Sequence, residues 1–159
     1  MSNSAKNPYQ VAVVGATGYS GFELARILLR HPKVQSATFY VRETNGAQCL
    51  AEMFPQLRGV GEASLRTLSV EAILESGAGT AFLATPHEYS AEIAPALVDA
   101  GIRVIDLSGA FRFRSAQTFS HWYKLPTPHA GRLREAVYGL PELYASDIAG
   151  AKLDRKSVV

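Results

Sequence analysis

The chain has 159 residues, 47% apolar and 19% charged, which suits one globular domain with a single core and excludes a disordered chain. Its net charge of +2, from 16 Lys and Arg against 14 Asp and Glu, is too small and too evenly spread for a nucleic-acid surface. A single cysteine excludes an intrachain disulfide, no apolar run approaches a membrane span, and "MSNSAKNPYQ" lacks the apolar middle of a signal peptide, so the expectation is a cytoplasmic protein with no nucleic-acid or membrane partner.

Residues 1–9 read as an irregular N-terminus. Gln10 to Val14 reads as a buried strand, and Gly21 to Arg30 as a helix with a broad apolar stripe from Phe22 to Leu29. Pro32 stops that helix, because the residue before a proline is pushed out of the helical region. Ser36 to Val41 is a second strand, and Arg42 to Gly61 is loop-like, punctuated by Gly46, Pro55 and Gly59. Ser69 to Ser76 predicts a short helix with Ser69 as its cap. "GTAFLAT", Gly79 to Thr85, is a strand closed by Pro86. A helix follows from Glu88 to Ala100, where Pro95 predicts a kink or a late start. Ile102 to Ser108 is another strand, and Gly109 to His129 is irregular. Strands that alternate with helices, and are apolar without a period of two, predict a parallel sheet covered on both faces.

"VAVVGATGYSG" carries the chemistry. Gly15, Gly18 and Gly21 stand three apart between the first strand and the first helix. A helix start offers unpaired N–H groups and the positive end of the dipole, which together suit an anion. In such a turn the first glycine permits the bend, the second lets a diphosphate approach the backbone, and the third brings helix against strand. The spacing G-x-x-G-x-x-G is one residue longer than the usual dinucleotide turn, but its place in the first strand-turn-helix unit is the expected one. The fold class that follows is Rossmann-like α/β, doubly wound, with a mainly parallel sheet between helices. Its dinucleotide-binding domain spans 10–153.

The end of the second strand decides the nucleotide. Arg42 there would grip a 2′-phosphate and favour NADP, whereas Glu43 would bind a ribose hydroxyl if the strand ran one residue further. "ATPHEYS" and "DLSGAFRF" should border the same crevice, since ligands bind at the carboxyl ends of such strands. They bring Ala84, Pro86 and Ser108, and Arg112 for a carboxylate or phosphate. Cys49 has no nearby base and reads as structural. His121 and His129 have no metal-pair spacing, so no metal is expected.

Four stretches resemble N-acetyl-γ-glutamyl-phosphate reductases: "VAVVGATGYSG", "AFLATPHEYSAEIAPALVDAGIRVIDLSGAFRF", "WYKLPTPH" and "EAVYGLPELY". The likeness runs from about Gln10 to Leu153. It implies the reduction of N-acetyl-γ-glutamyl phosphate by NADPH in arginine biosynthesis, through a cysteine thioester, in a homo-oligomer. By position it assigns Gly15, Thr17, Gly18, Tyr19, Ser20 and Gly21 to the diphosphate and Arg42 to the 2′-phosphate. Ala84 and Pro86 fall to the nicotinamide side, Ser108 to the cofactor, and Arg112 to the substrate.

The sequence departs from that pattern in places. Val41 stands where a serine is usual, and Gly109-Ala110 where Ala-Asp is usual. "ASDIAGAKLDRKSVV" does not lead into the family's Asn-Pro-Gly-Cys segment, so residues 154–159 read as a tail foreign to the family and the catalytic domain as largely missing. The expectation is a chain that binds cofactor without turnover. Related readings are an aspartate-semialdehyde dehydrogenase, a carrier-linked lysine-pathway reductase, or a non-catalytic NADP sensor. A short-chain dehydrogenase is disfavoured, since none of the 7 tyrosines has a lysine four residues on.

Overall fold

The structure, a computed structural model, describes residues 9–60, 63–124 and 130–156. Strand β1 (Tyr9–Val14) leads into helix α1 (Tyr19–Leu28), and β2 (Val34–Val41) follows. A short helix α2 (Leu50–Met53) and a 3-10 turn (Pro55–Leu57) precede β3 (Ser64–Thr67). Then come α3 (Val70–Glu75), β4 (Thr80–Leu83), α4 (His87–Asp99) and β5 (Arg103–Asp106). The chain continues through α5 (Ala116–Tyr123), α6 (Ala130–Glu135), β6 (Val137–Gly139), α7 (Pro141–Gly150) and β7 (Leu153–Lys156). Of the segment read as an irregular N-terminus, Tyr9 opens β1 and residues 1–8 lie outside the described ones.

The seven strands form one sheet in the order β3-β2-β1-β4-β5-β7-β6, every ladder parallel. The order reverses between β1 and β4, where the chain leaves for opposite sides and a crevice opens at the carboxyl ends. The strands read as unbroken apolar runs because both faces are covered. Val11 and Val13 pack with Ala25, Leu28 and Phe39 on one face. Ala12 and Val14 pack with Leu83, Ala94 and Leu97 on the other. One residue of register would send each of these side chains to the opposite core.

Ser69 caps α3 as predicted, its hydroxyl accepting from the Ala72 N–H. Helix α4 begins at His87 and continues through Pro95 as a single element, with Pro95 itself buried. Several elements differ from the sequence reading, among them α2 and the 3-10 turn, which lie inside the stretch read as loop-like. Ser64–Thr67 is an edge strand whose only buried residue is Leu65, too weak a pattern to see in four residues. Residues 116–123, within the stretch read as irregular, form α5, with Ser115 capping it through the Thr118 N–H. Asp154–Lys156, read as part of a foreign tail, belongs to a strand between β5 and β6. Leu153 is buried in the core there, and Arg103 neutralises the buried Asp154, so neighbours on both sides supply what the polar sequence lacks.

Candidate functional site

The turn after β1 is built from bare backbone. Gly15 has φ +85°, where only glycine is unstrained, and a Cβ there would overlap the Ala84 carbonyl at the end of β4. A Cβ on Gly21 would overlap the Gly15 carbonyl and come within 2.7 Å of Ala16 Cα. Those two glycines let α1 press against β1 and β4. Gly18 differs: it is the extended N-cap residue of α1, and a Cβ would meet nothing closer than the Gly15 carbonyl oxygen at 3.6 Å. The space over Gly18 is open to the cleft. No side chain caps α1, and the first intrahelical bond is from Phe22 N–H to the Gly18 carbonyl at 2.9 Å. The N–H groups of Tyr19, Ser20 and Gly21 are therefore outside the helix's own ladder, which is the donor set of an anion cradle.

A cleft of about 490 Å³ opens over this turn. Gly15, Thr17 and Gly18 form its floor, Ala84, Thr85 and Pro86 the β4 side, and Val41, Arg42 and Glu43 the β2 side. Gly15, Thr17, Gly18, Arg42, Ala84 and Pro86, singled out in the sequence, thus line one cleft. Ser20 and Gly21 lie one step back on α1, and Tyr19 is 97% exposed, facing an adjoining hollow with Phe22 and Phe54. Arg42 and Glu43 both reach the cleft, and the Arg42 guanidinium stands 5.5 Å from the centre of the Tyr89 ring. Tyr89, within the "ATPHEYS" stretch expected to border the crevice, lines the cleft, as do Asn45, Met53 and Leu68, which were missed. Tyr89 was the one with a signal, since it sits in the first turn of a helix that follows a strand closed by proline.

Ser108 and Arg112 are not among the cleft-lining residues. The Ser108 hydroxyl donates to Asp106 Oδ2 at 2.9 Å and accepts from the Ala110 N–H at 3.0 Å, while its own N–H donates to Asp106 Oδ1 at 3.0 Å. That shapes the loop after β5. Asp106 is fully buried, and burial pushes its carboxyl above the usual carboxylate range against the opposing pull of Ser108, Ser90 and His87. Ser90 in turn shares a 2.8 Å hydrogen bond with Thr85, so this buried network reaches the cleft wall. Arg112 has a buried Nε without a hydrogen-bond partner among the described residues. Cys49 lies outside the cleft and donates to Glu52 Oε1 at 3.3 Å. His129 falls outside the described residues, and among those described no cluster of three or more His, Cys, Asp or Glu could hold a metal.

Glycine turn, crevice and sheet order together are those of a dinucleotide-binding domain, and residues 10–151 match the family described as semialdehyde dehydrogenase, NAD binding domain. The chain belongs to this family. Within it, the chain is 47% identical over 146 residues to the N-acetyl-γ-glutamyl-phosphate reductase of Akkermansia muciniphila, covering 91% of this chain and 42% of that one. It is 40% identical over 148 residues to the LysW-L-2-aminoadipate/LysW-L-glutamate phosphate reductase of Saccharolobus solfataricus, covering 93% and 42%. Among solved structures, aspartate semialdehyde dehydrogenase II of Vibrio cholerae superposes with a TM-score of 0.65 at 18% identity, over 94% of this chain and 41% of the other, which shows the shared fold. The chain spans about two fifths of the length of the curated relatives it matches. No helix among the described residues is long and apolar enough to cross a membrane.

Proposed function

We propose that this chain is the NADP-binding portion of an N-acetyl-γ-glutamyl-phosphate reductase. The observation that carries the choice of nucleotide is Arg42, placed at the end of β2 and facing the cleft. The glycine turn fits a diphosphate, because Gly18 leaves room above a helix start that has no side-chain cap. Thr17, Tyr19, Ser20 and Gly21 hold it there through backbone N–H groups, while Gly18 leaves the approach open and Gly15, whose own N–H donates to the Tyr40 carbonyl, makes the turn. Arg42 forks onto the 2′-phosphate. Ala84, Thr85 and Pro86 form the wall beside the nicotinamide, and Arg112 serves the substrate. Ser108 acts through Asp106 and the loop it shapes. The bound cofactor supplies a hydride; what these residues contribute is its grip and orientation.

The thiol of the 159 residues, on Cys49, is turned to Glu52 and lies outside the cleft. These residues therefore bind NADPH without reducing an acyl phosphate by themselves. A fluorescence titration with NADPH and NADH, followed by an assay of phosphate-dependent NADP reduction with N-acetylglutamate semialdehyde, tests both halves. Saturable binding that favours NADPH, with no turnover, is expected. Absence of binding overturns the first half and turnover overturns the second. The likeness to the LysW-linked enzyme supports a second reading, in which the same cleft serves a carrier-bound phosphate substrate. Turnover of that substrate by a full-length relative carrying this domain, and not of the N-acetyl compound, would favour it.

A further inference from the structure

Thr85 belongs to two structures at once. It lines the glycine-turn cleft on the β4 side, and its hydroxyl shares a 2.8 Å hydrogen bond with the hydroxyl of Ser90 in the first turn of α4. Ser90 is fully buried, and it hydrogen-bonds in turn to Asp106 at the end of β5, which is fully buried as well. Two hydroxyls in series therefore join a buried carboxyl group to the cleft wall.

Such a series has a direction, because a hydroxyl has one proton to give and two lone pairs to receive with. Asp106 is met by donors: the Ser108 N–H reaches Oδ1 at 3.0 Å and the Ser108 hydroxyl reaches Oδ2 at 2.9 Å. The Ser108 hydroxyl is itself oriented by the Ala110 N–H, which donates to it at 3.0 Å. These bonds, the one from Ser90 and the nearby His87 all favour the ionised carboxyl, against burial. A carboxylate only accepts, so Ser90 gives its one proton to Asp106. Ser90 then has only lone pairs left for Thr85, and the bond between the two hydroxyls uses the Thr85 proton. With that proton turned inward, Thr85 meets the cleft as an acceptor. An isolated threonine turns its hydroxyl to suit a donor or an acceptor; this one is held by buried neighbours on α4 and β5.

We propose that Ser90 and Asp106 are positioning residues that fix Thr85 as an acceptor, so that this wall of the cleft selects a ligand group carrying an N–H, the carboxamide of the nicotinamide ring. The proposal rests on the NADPH reading above, which sets this wall beside the nicotinamide, and adds how the amide is told from other ring substituents. The glycine turn and Arg42 grip the phosphates and are blind to that difference.

The test uses the whole 159-residue chain at neutral pH. Calorimetry compares NADPH with its reduced 3-acetylpyridine analogue, in which a methyl ketone replaces the amide and no N–H remains. The parent is expected to bind NADPH about tenfold more tightly, since the ketone leaves an acceptor unpaired. Thr85→Val, equal in shape, should bring the two ligands within about twofold by weakening NADPH alone. Ser90→Ala removes the inward acceptor, frees Thr85 to turn, and should shrink the preference likewise. Asp106→Asn presents an amide donor where the carboxylate accepted, releases the Ser90 proton toward Thr85, and should reverse the preference in favour of the ketone. A general loosening of the fold weakens both ligands alike and leaves their ratio unmoved, so the ratio reports the hydroxyl series. An undiminished preference for NADPH in T85V, S90A or D106N would overturn the proposal, and T85V decides it if D106N fails to fold. A parent that binds both ligands equally overturns it while leaving the NADPH reading intact. A parent that binds neither overturns that reading and this proposal with it.

Discussion

Arg103 donates to Asp154 Oδ2 twice, from Nη2 at 2.7 Å and from Nε at 3.2 Å, and Nη2 also donates to the Ile148 carbonyl at 2.7 Å. One side chain on β5 thereby fixes both β7 and the end of α7. The partners are unequal, for Asp154 is 7% exposed and Arg103 35%. Removing the arginine strands a buried carboxylate, whereas removing the aspartate frees a cation that can turn to water. Arg103→Met is therefore expected to cost about 2–3 kcal/mol, somewhat under the value for a fully buried pair, and Asp154→Ala less. Urea unfolding at pH 7 checks the order; equal losses would show that the pair is screened.

The three glycines should separate into two classes on substitution. Gly15→Ala strains a positive φ and drives a methyl into the Ala84 carbonyl, and Gly21→Ala drives one into the Gly15 carbonyl. Each is expected to cost more than about 2 kcal/mol and to lower Tm by several degrees. Gly18→Ala meets only an ordinary contact and keeps an extended backbone. It should fold within about 1 kcal/mol of the parent yet bind NADPH at least about tenfold more weakly, because the methyl occupies the space over the donors. Unaltered NADPH affinity in folded G18A would remove the diphosphate from this turn.

Arg42 and Glu43 can be told apart by charge. Arg42→Ala is expected to weaken NADPH by about tenfold or more and to leave NADH nearly unchanged, since only NADPH carries the 2′-phosphate. Glu43→Gln should do the reverse if the carboxylate contacts the ribose. Titrating both cofactors against both variants decides the nucleotide. Loss of both cofactors alike in R42A would mean that Arg42 supports the cleft through Tyr89 instead.

Why the sequence yields so much here, and where it stops, follows from what local residues encode. The floor of the cleft was legible because Gly15, Gly18 and Gly21 answer backbone demands that no other residue meets. Its flanks followed from strand ends read at Val41 and, two residues beyond the observed end of β4 at Leu83, at Thr85. Leu68 was hidden, since it follows β3 and reaches the cleft only through the pairing of that edge strand with β2. The strand at Leu153–Lys156 was illegible for a related reason: its hydrogen bonds come from β5 and β6, and its buried aspartate is tolerable only beside Arg103. Ser108 shows what sequence leaves out: its hydroxyl is engaged by Asp106 and Ala110, partners that only the fold of the loop brings to it.

Asp106 should leave a signature in the pH dependence of stability. Its carboxyl is raised above the ordinary 3.8 chiefly by burial, so the folded state binds this proton more tightly than the unfolded one. The stabilising contribution is complete below about the unfolded value and is lost as pH rises through the raised folded value. Above that window the buried charge is a standing cost, met only in part by Ser108 and Ser90. Asp106→Asn cannot ionise and keeps an acceptor for the Ser108 N–H. The difference in unfolding free energy, variant minus parent, should therefore climb as pH rises above 3.8 and level once the folded carboxyl has ionised. Urea titrations at four or five pH values measure that difference directly and cancel the titration of other carboxylates. A flat difference would mean that Asp106 ionises as readily folded as unfolded. A falling one would mean that the hydrogen bonds from Ser108 and Ser90 outweigh burial.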